Sequence, residues 1–163
     1  MATTFSSDKV SAGTFKLLPL GYKQEILATA AAPSTTGATD VYKMVGLEAN
    51  PSAYTPDGPG GPTILGVQLG SDALDGASSL ALSVGDSGSS TRFISSSTIG
   101  RAGGVFPGTL SPCLGYQPFA SPFFHTYTTA SLATYLMLIT VTTSAATAVA
   151  GNLRLLVDFS VDP

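Results

Sequence analysis

Few residues in this 163-residue chain are of types that could carry chemistry. Gly85-Asp86-Ser87-Gly88-Ser89 has the residue order found around the nucleophile of trypsin-like serine proteases. A serine becomes a nucleophile only with a histidine base in hydrogen-bond reach and a third group to orient that base. The one histidine, His125, follows the serine, the reverse of the chain order in those enzymes, and the chain is far shorter than their double barrel. The pentapeptide therefore reads as a hairpin turn over 86–90, in which glycine supplies the bend and Asp and Ser side chains bond the local backbone. His125 lies in Pro122-Phe123-Phe124-His125-Thr126-Tyr127, which offers none of the His, Cys or carboxylate companions that a zinc site needs, and it reads as a loop histidine. Asp72, Asp75 and Asp86 could converge on a calcium ion, but their spacing fits no EF-hand loop. Cys113 is the only cysteine, so it forms no internal disulfide and is compatible with a reducing cytoplasm. The expectation is a non-enzymatic protein with no catalytic, cofactor-binding or metal site.

The scaffold around these residues has to be read from composition. Hydrophobic residues make up 44 % of the chain, enough for a packed core, and the length fits one domain over 1–163. Charged residues make up only 10 %, against about 25 % in an ordinary soluble protein. Ser, Thr, Gly and Ala must then cover the surface. Such a neutral surface suits a subunit held inside an assembly, because a freely diffusing monomer uses charge to stay soluble. The net charge is −3 and the seven basic residues (Lys9, Lys16, Lys23, Lys43, Arg92, Arg101, Arg154) are scattered, so no nucleic-acid partner is expected. The N-terminal residues lack the basic and apolar regions of a secretory signal. The longest apolar run, 132–141, is broken by Thr134 and is too short to span a bilayer, so no membrane anchor is expected.

Hydrophobic residues recur with period 2 rather than 3.6. Leu153, Leu155, Val157, Phe159 and Val161 alternate with Arg154, Asp158, Ser160 and Asp162, the pattern of a half-buried strand that only Leu156 breaks. The segment 135–142 is apolar on both faces before it alternates, as a central strand would be. The Ala-rich connection ending at Gly151-Asn152 predicts that these two strands pair. Further strands are predicted over 14–20, 25–29, 41–47, 63–69, 79–84 and 92–96, each bounded by Gly, Pro, Asp or Ser. In 79–84, Leu80, Leu82 and Val84 take the core face. About eight short strands predict an all-β fold, a single jelly-roll-like β-sandwich, with two long Gly/Pro-rich loops.

Those loops are an arm over 50–62, too rich in Pro and Gly for a regular ladder, and an aromatic-rich segment over 100–127. Aromatic rings among Pro and Gly offer large apolar area at low entropic cost, which interface anchors need. Tyr54, Phe106, Tyr116, Phe119, Phe123, Phe124 and Tyr127 are the candidate interface residues. The alternative is that the rings fold back and cap their own core.

The order Asp75-Gly76-Ala77-Ser78-Ser79-Leu80-Ala81-Leu82-Ser83-Val84-Gly85-Asp86, then Arg92-Phe93-Ile94, then Tyr135-Leu136-Met137-Leu138-Ile139-Thr140-Val141-Thr142-Thr143 and Ala150-Gly151-Asn152-Leu153-Arg154-Leu155-Leu156-Val157-Asp158-Phe159, resembles small virion proteins of tailed bacteriophages. The match covers the second half of the chain, with a weaker echo at Asp40-Val41-Tyr42-Lys43-Met44 and no counterpart for the Pro/Gly arm. The resemblance implies a head cement or decoration protein on the capsid surface, made in the host cytoplasm. Its implied partners are the major capsid protein and copies of itself, with a homotrimer as the expected oligomer. A neck, tail or fibre component is one alternative. A carbohydrate-binding sandwich for host attachment is another, although the chain has no tryptophan to stack on sugar rings.

Overall fold

The computed structural model describes residues 2–11, 24–48, 54–55, 58–59, 62–103, 125–126 and 134–161. In chain order these form β1 (Thr4–Ser6), α1 (Asp8–Ser11), β2 (Gln24–Ala32), β3 (Val41–Glu48), β4 (Tyr54–Thr55), β5 (Gly58–Pro59), β6 (Pro62–Ser71), β7 (Ala81–Asp86), β8 (Ile94–Ser97), α2 (Ile99–Ala102), β9 (His125–Thr126), β10 (Thr134–Thr143) and β11 (Gly151–Val161). One sheet has the order β1-β3-β10-β7-β8, a second has the order β2-β11-β6-β9, and β4 pairs with β5. Neighbours run antiparallel except β1, which is parallel to β3.

Side-chain alternation turns these strands into two facing layers. In β11, Leu153, Leu155, Val157 and Phe159 are buried while Arg154, Leu156 and Asp158 are only partly covered. They meet Leu69, Ile26 and Ala28 of their own sheet and Met44, Leu82, Met137 and Ile139 of the other in one apolar cluster. The fold is therefore an all-β sandwich, and the strands expected at 25–29, 41–47, 63–69, 79–84 and 92–96 are β2, β3, β6, β7 and β8. The strand expected at 14–20 lies outside the described residues.

Bulges in β3 and β6 shift the alternation by one residue. Met137 faces Val45 and Leu138 faces Lys43, so Met44 is the extra residue, and Tyr42, Met44, Val45 and Leu47 are all buried. In β6 the skipped residue is Leu65, which lets Ile64 and Val67, three apart, both point inward opposite Phe159 and Val157.

The sequence-based pairing of the last two strands is overturned. β10 lies between β3 and β7, β11 lies between β2 and β6, and the connection 144–150 crosses from one sheet to the other. Alternation specifies which face of a strand is buried but not which layer it joins, and facing layers are only about 10 Å apart, a gap this connection spans.

A second difference concerns β7. Leu82 and Val84 face the core opposite Val141 and Ile139, as expected, but Ala81, Ser83 and Gly85 on the other face are buried too. The turn after β7 folds back over it: a Cβ on Gly85 would lie 1.9 Å from the Ser89 carbonyl oxygen, so only glycine fits. On the same face the Ser83 hydroxyl accepts the Ser96 N–H at 3.1 Å.

The two helices are single turns that bridge the layers. α1 packs on β3 and β2, and α2 packs on β7 and β6. α2 ends at Gly103, whose φ of 74° and proximity to the Ala73 backbone, 2.6 Å from a would-be Cβ, both require glycine. Arg101 extends from α2 to donate to the carbonyls of Leu80 at 2.9 Å and Ser79 at 3.3 Å.

Candidate functional site

Three connections pass between the sheets at the same end of the sandwich: 33–40 from β2 to β3, 72–80 from β6 to β7, and 144–150 from β10 to β11. A loop that leaves a sheet exposes backbone donors that no ladder satisfies. Aspartates satisfy them here.

Asp40 is 3 % exposed. One carboxylate oxygen accepts the Gly37 N–H at 2.8 Å and the other the Thr3 N–H at 2.9 Å, while its own N–H donates to the Gly37 carbonyl. This tight turn holds Thr39 at φ 72°, a left-handed conformation that β-branched residues avoid.

Asp75 collects more donors. Its Oδ1 accepts the Ala77 N–H at 3.0 Å and the Thr147 N–H at 3.2 Å. Its Oδ2 accepts the N–H groups of Ser79 at 2.6 Å and Leu80 at 2.7 Å, and the Ser79 hydroxyl at 3.1 Å. Ser78, at φ 64°, curls the chain around the carboxylate. Burial acts to raise the pKa of Asp75, but the N–H donors of Ala77, Leu80, Thr147 and Ser79 outweigh it and hold the group well below the usual carboxylate range.

Asp72 ties the start of β11. It accepts Arg154 Nη1 at 2.7 Å and both the backbone N–H and the side-chain amide of Asn152, at 2.8 and 3.0 Å. The Arg154 hydrogen bond is the main cause that lowers its pKa. Asp86 sits at the opposite end of β7, where it accepts the N–H groups of Gly88 at 2.9 Å and Ser89 at 2.8 Å and Arg92 Nε at 2.6 Å. The protease-like pentapeptide is thus an aspartate-capped hairpin turn between β7 and β8.

The three aspartates considered for calcium therefore do not converge: Asp72 and Asp75 share an end but serve different partners, and Asp86 is remote. Among the described residues no three His, Cys, Asp or Glu side chains form a metal-binding group. Asp72 and Asp75 fasten crossovers, and Asp86 caps a hairpin. Asp40 carries no signal of its role in the sequence, and Asp75, weighed there only as a calcium ligand, instead holds backbone donors. The turn composition of Asp75-Gly76-Ala77-Ser78-Ser79 carried a partial signal, but Thr147 arrives only through the fold.

A second constellation seats the N-terminal segment. β1 lies along β3 with Phe5 stacked on Tyr42, ring centroids 4.7 Å apart. Burial pushes the Tyr42 phenol up from its ordinary pKa, and the nearby Asp40 carboxylate adds to that rise. The Ser7 hydroxyl caps α1 by accepting the Val10 N–H at 3.2 Å and donates to the carbonyl of the bulged Met44. Asp8 reaches the other sheet and accepts the Thr29 N–H at 2.7 Å, covering a donor on the edge strand β2.

Of the candidate interface residues, Tyr54 pairs through its backbone with Pro59 in the β4–β5 ribbon. Phe106, Tyr116, Phe119, Phe123, Phe124 and Tyr127 lie outside the described residues. His125 pairs through its backbone with Ile64 at the margin of the second sheet. Among the described residues Val149, in the 144–150 crossover, is the only large hydrophobic that is exposed, and no helix is long and apolar enough to cross a membrane.

By its two layers and central strands, this is an all-β sandwich closed at one end by three aspartate-pinned crossovers. The same fold occurs in solved virus structures. A chain of the capsid of Ralstonia phage GP4 superposes with a TM-score of 0.60 at 19 % identity, covering 99 % of this chain and 99 % of that one. A chain of the cyanophage Pam1 capsid asymmetric unit superposes with a TM-score of 0.59 at 23 % identity, covering 92 % of this chain and 95 % of that one. No protein-family model matches the sequence, and no curated protein matches it.

Proposed function

We propose that this chain is a non-enzymatic structural protein of a bacteriophage virion, a cement or decoration protein that binds between capsomers and stabilises the head. The observation that carries this reading is the end-to-end similarity in fold to a chain of the Ralstonia phage GP4 capsid, over 99 % of both chains. The low charge, 10 % of residues, supports a subunit that spends its life in contact with other protein. A cement protein needs no reaction chemistry. Many weak contacts, repeated across a shell, sum through multivalency into a large stabilisation.

On this reading the partners are the major capsid protein and further copies of the chain, arranged as a homotrimer on the capsid surface after synthesis in the host cytoplasm. On the same reading the docking anchors are Phe106, Tyr116, Phe119, Phe123, Phe124 and Tyr127 of the 100–127 segment, with Tyr54 from the arm. Cryo-electron microscopy of the intact virion tests the role. Density for the sandwich between capsomers is the expected result, and density confined to the neck, tail or fibres would overturn the head assignment. Phe123→Ser with Phe124→Ser should lower occupancy on purified heads at least tenfold, and undiminished occupancy would remove the aromatic segment from the interface.

A further inference from the structure

We propose that the N-terminal segment, Thr3 to Ser11, is an edge guard: seated on its own chain, it covers two long strand edges that otherwise pair with a second copy. The inference stands independently of the function proposed above.

An outer strand presents N–H and C=O groups that its own sheet does not use, and a long regular edge of this kind is a template for a strand of another chain. The two flanks of the sandwich deal with this differently. At one flank the first sheet ends in β8, only four residues long, with a register shift against β7 and Ser96 at φ 54°. An edge so short and bent is a poor template. At the other flank lie β3, with eight residues, and β2, with nine. β10 takes one side of β3 and β11 takes one side of β2, and the N-terminal segment packs against both strands.

On β3 the cover is main-chain. The Val41 N–H donates to the Thr3 carbonyl and the Ser7 N–H to the Lys43 carbonyl, both at 2.9 Å. The Ser7 hydroxyl then takes the carbonyl of the bulged Met44. β1 is three residues long and runs parallel to β3, so it ends the sheet with a strand too short to extend it. On β2 the cover is a side chain. The Thr29 N–H, in the middle of the strand, is accepted by Asp8 Oδ1 at 2.7 Å. That carboxylate satisfies the donor and sets a negative charge where an incoming strand would bring a carbonyl oxygen. Phe5 stacked on Tyr42 and the Thr3 N–H bound to Asp40 at 2.9 Å hold the segment down. One short segment thus closes an edge of each sheet.

Deleting residues 2–8, with Met1 kept, removes the guard. Circular dichroism and cooperative unfolding establish that the truncated chain folds. Its mass by light scattering is expected to be at least twice that of the wild type and to rise with concentration. Edge pairing also predicts a rescue. The deletion uncovers the N–H groups of Val41 and Thr29, and proline, which has no N–H, is accepted at the first position of a strand and on an edge. Val41→Pro with Thr29→Pro in the truncated chain should therefore restore the wild-type mass. A folded truncated chain at the wild-type mass overturns the proposal and leaves the virion reading untouched. Excess mass that the prolines do not reduce overturns it as well, because association would then run through the uncovered Tyr42 ring. If the truncated chain does not fold, the full chain with Phe5→Ala and Asp8→Ala takes its place. Faster amide exchange at Val41 and Thr29 without a gain in mass in that variant counts against the guard equally.

Discussion

The Asp75 carboxylate accepts the Thr147 N–H at 3.2 Å, joining two crossovers that are 72 residues apart in sequence. The bond sits beside the only isolated bridge among the described residues, Asp75 to Ala148, and the Gly76 N–H donates to the Thr147 carbonyl at 2.9 Å. Two loops that no strand ladder connects are therefore held as one unit by a single carboxylate and its neighbours.

Replacing Asp75 by Asn tests that unit. Asparagine has one acceptor oxygen where Asp75 serves four N–H groups and a hydroxyl, and its amide would face donors. The Asp75→Asn protein is expected to show a lower urea midpoint at pH 7. Faster amide exchange at Thr147 and Leu80 should accompany it, and unchanged exchange would show that the crossovers hold without the carboxylate.

Acid should expose the same group. The pKa of Asp75 is depressed in the folded chain, so as pH falls the unfolded chain takes up the proton first and stability declines. The stabilisation is complete above the ordinary carboxylate pKa of about 4 and is lost as pH drops toward the folded value. Asp72 acts in the same direction but its side chain is 38 % exposed, so solvent screens its ion pair with Arg154. Stability measured from pH 7 to pH 2 is expected to fall below about pH 4 in the wild type and to fall less steeply in Asp75→Asn. Parallel curves for the two proteins would assign the acid sensitivity to other groups.

Gly85→Ala places a methyl where the Ser89 carbonyl now lies, 1.9 Å away, and the obstacle is backbone rather than a mobile side chain. The 87–93 turn has to lift off β7, and overpacking of this kind costs at least ~2 kcal/mol. Thermal or urea unfolding measures it, and a loss below ~0.5 kcal/mol would mean that the turn moves freely.

Thr39 offers a change in the opposite direction. It is an exposed, β-branched residue held at φ 72°. Asn or Gly adopts that conformation with less steric conflict, so Thr39→Asn should stabilise the fold by about 0.5–1 kcal/mol. Its N–H bond to the Val141 carbonyl at 2.8 Å is main-chain and survives the substitution. A destabilised Thr39→Asn protein would show that the threonine side chain contributes more than its backbone costs.

In the core, Leu155→Ala removes a fully buried side chain from the middle of β11. A loss of about 2–5 kcal/mol is expected from transfer and cavity terms together. Leu156→Ala, on the partly covered face of the same strand, should cost well under half of that. Equal losses from the two variants would mean that both faces of β11 are sealed.

The faces of the strands were legible because burial imposes period 2: Leu153, Leu155, Val157 and Phe159 could be assigned to the core from alternation alone. Sheet membership was not, because nothing local distinguishes a hairpin from the inter-sheet crossover at 144–150. The sealed outer face of β7 was hidden for a related reason. Its cover is the backbone of Ser89 and Ser90, which has no hydrophobic signature, and the only trace of it was the glycine in Val84-Gly85-Asp86. At the crossover end the roles of Asp40 and Asp75 were not legible, because their partners Thr3 and Thr147 are distant in sequence. The candidate interface aromatics over 106–127 are marked by composition alone and lie outside the described residues.

β10 and β11, the last two strands along the chain, are inner strands of their sheets. While the ribosome is still synthesising this protein, β3 and β7 have nothing between them, and neither do β2 and β6. Among the described residues the four longest ladders then wait for the final stretch of nascent chain, so the two sheets close late. Pairings between such distant residues form slowly, and the waiting strands expose unpaired edges in the meantime. Yield in a crowded cell should therefore depend more on the interval between completing β11 and closing the two sheets than on the stability of the finished sandwich.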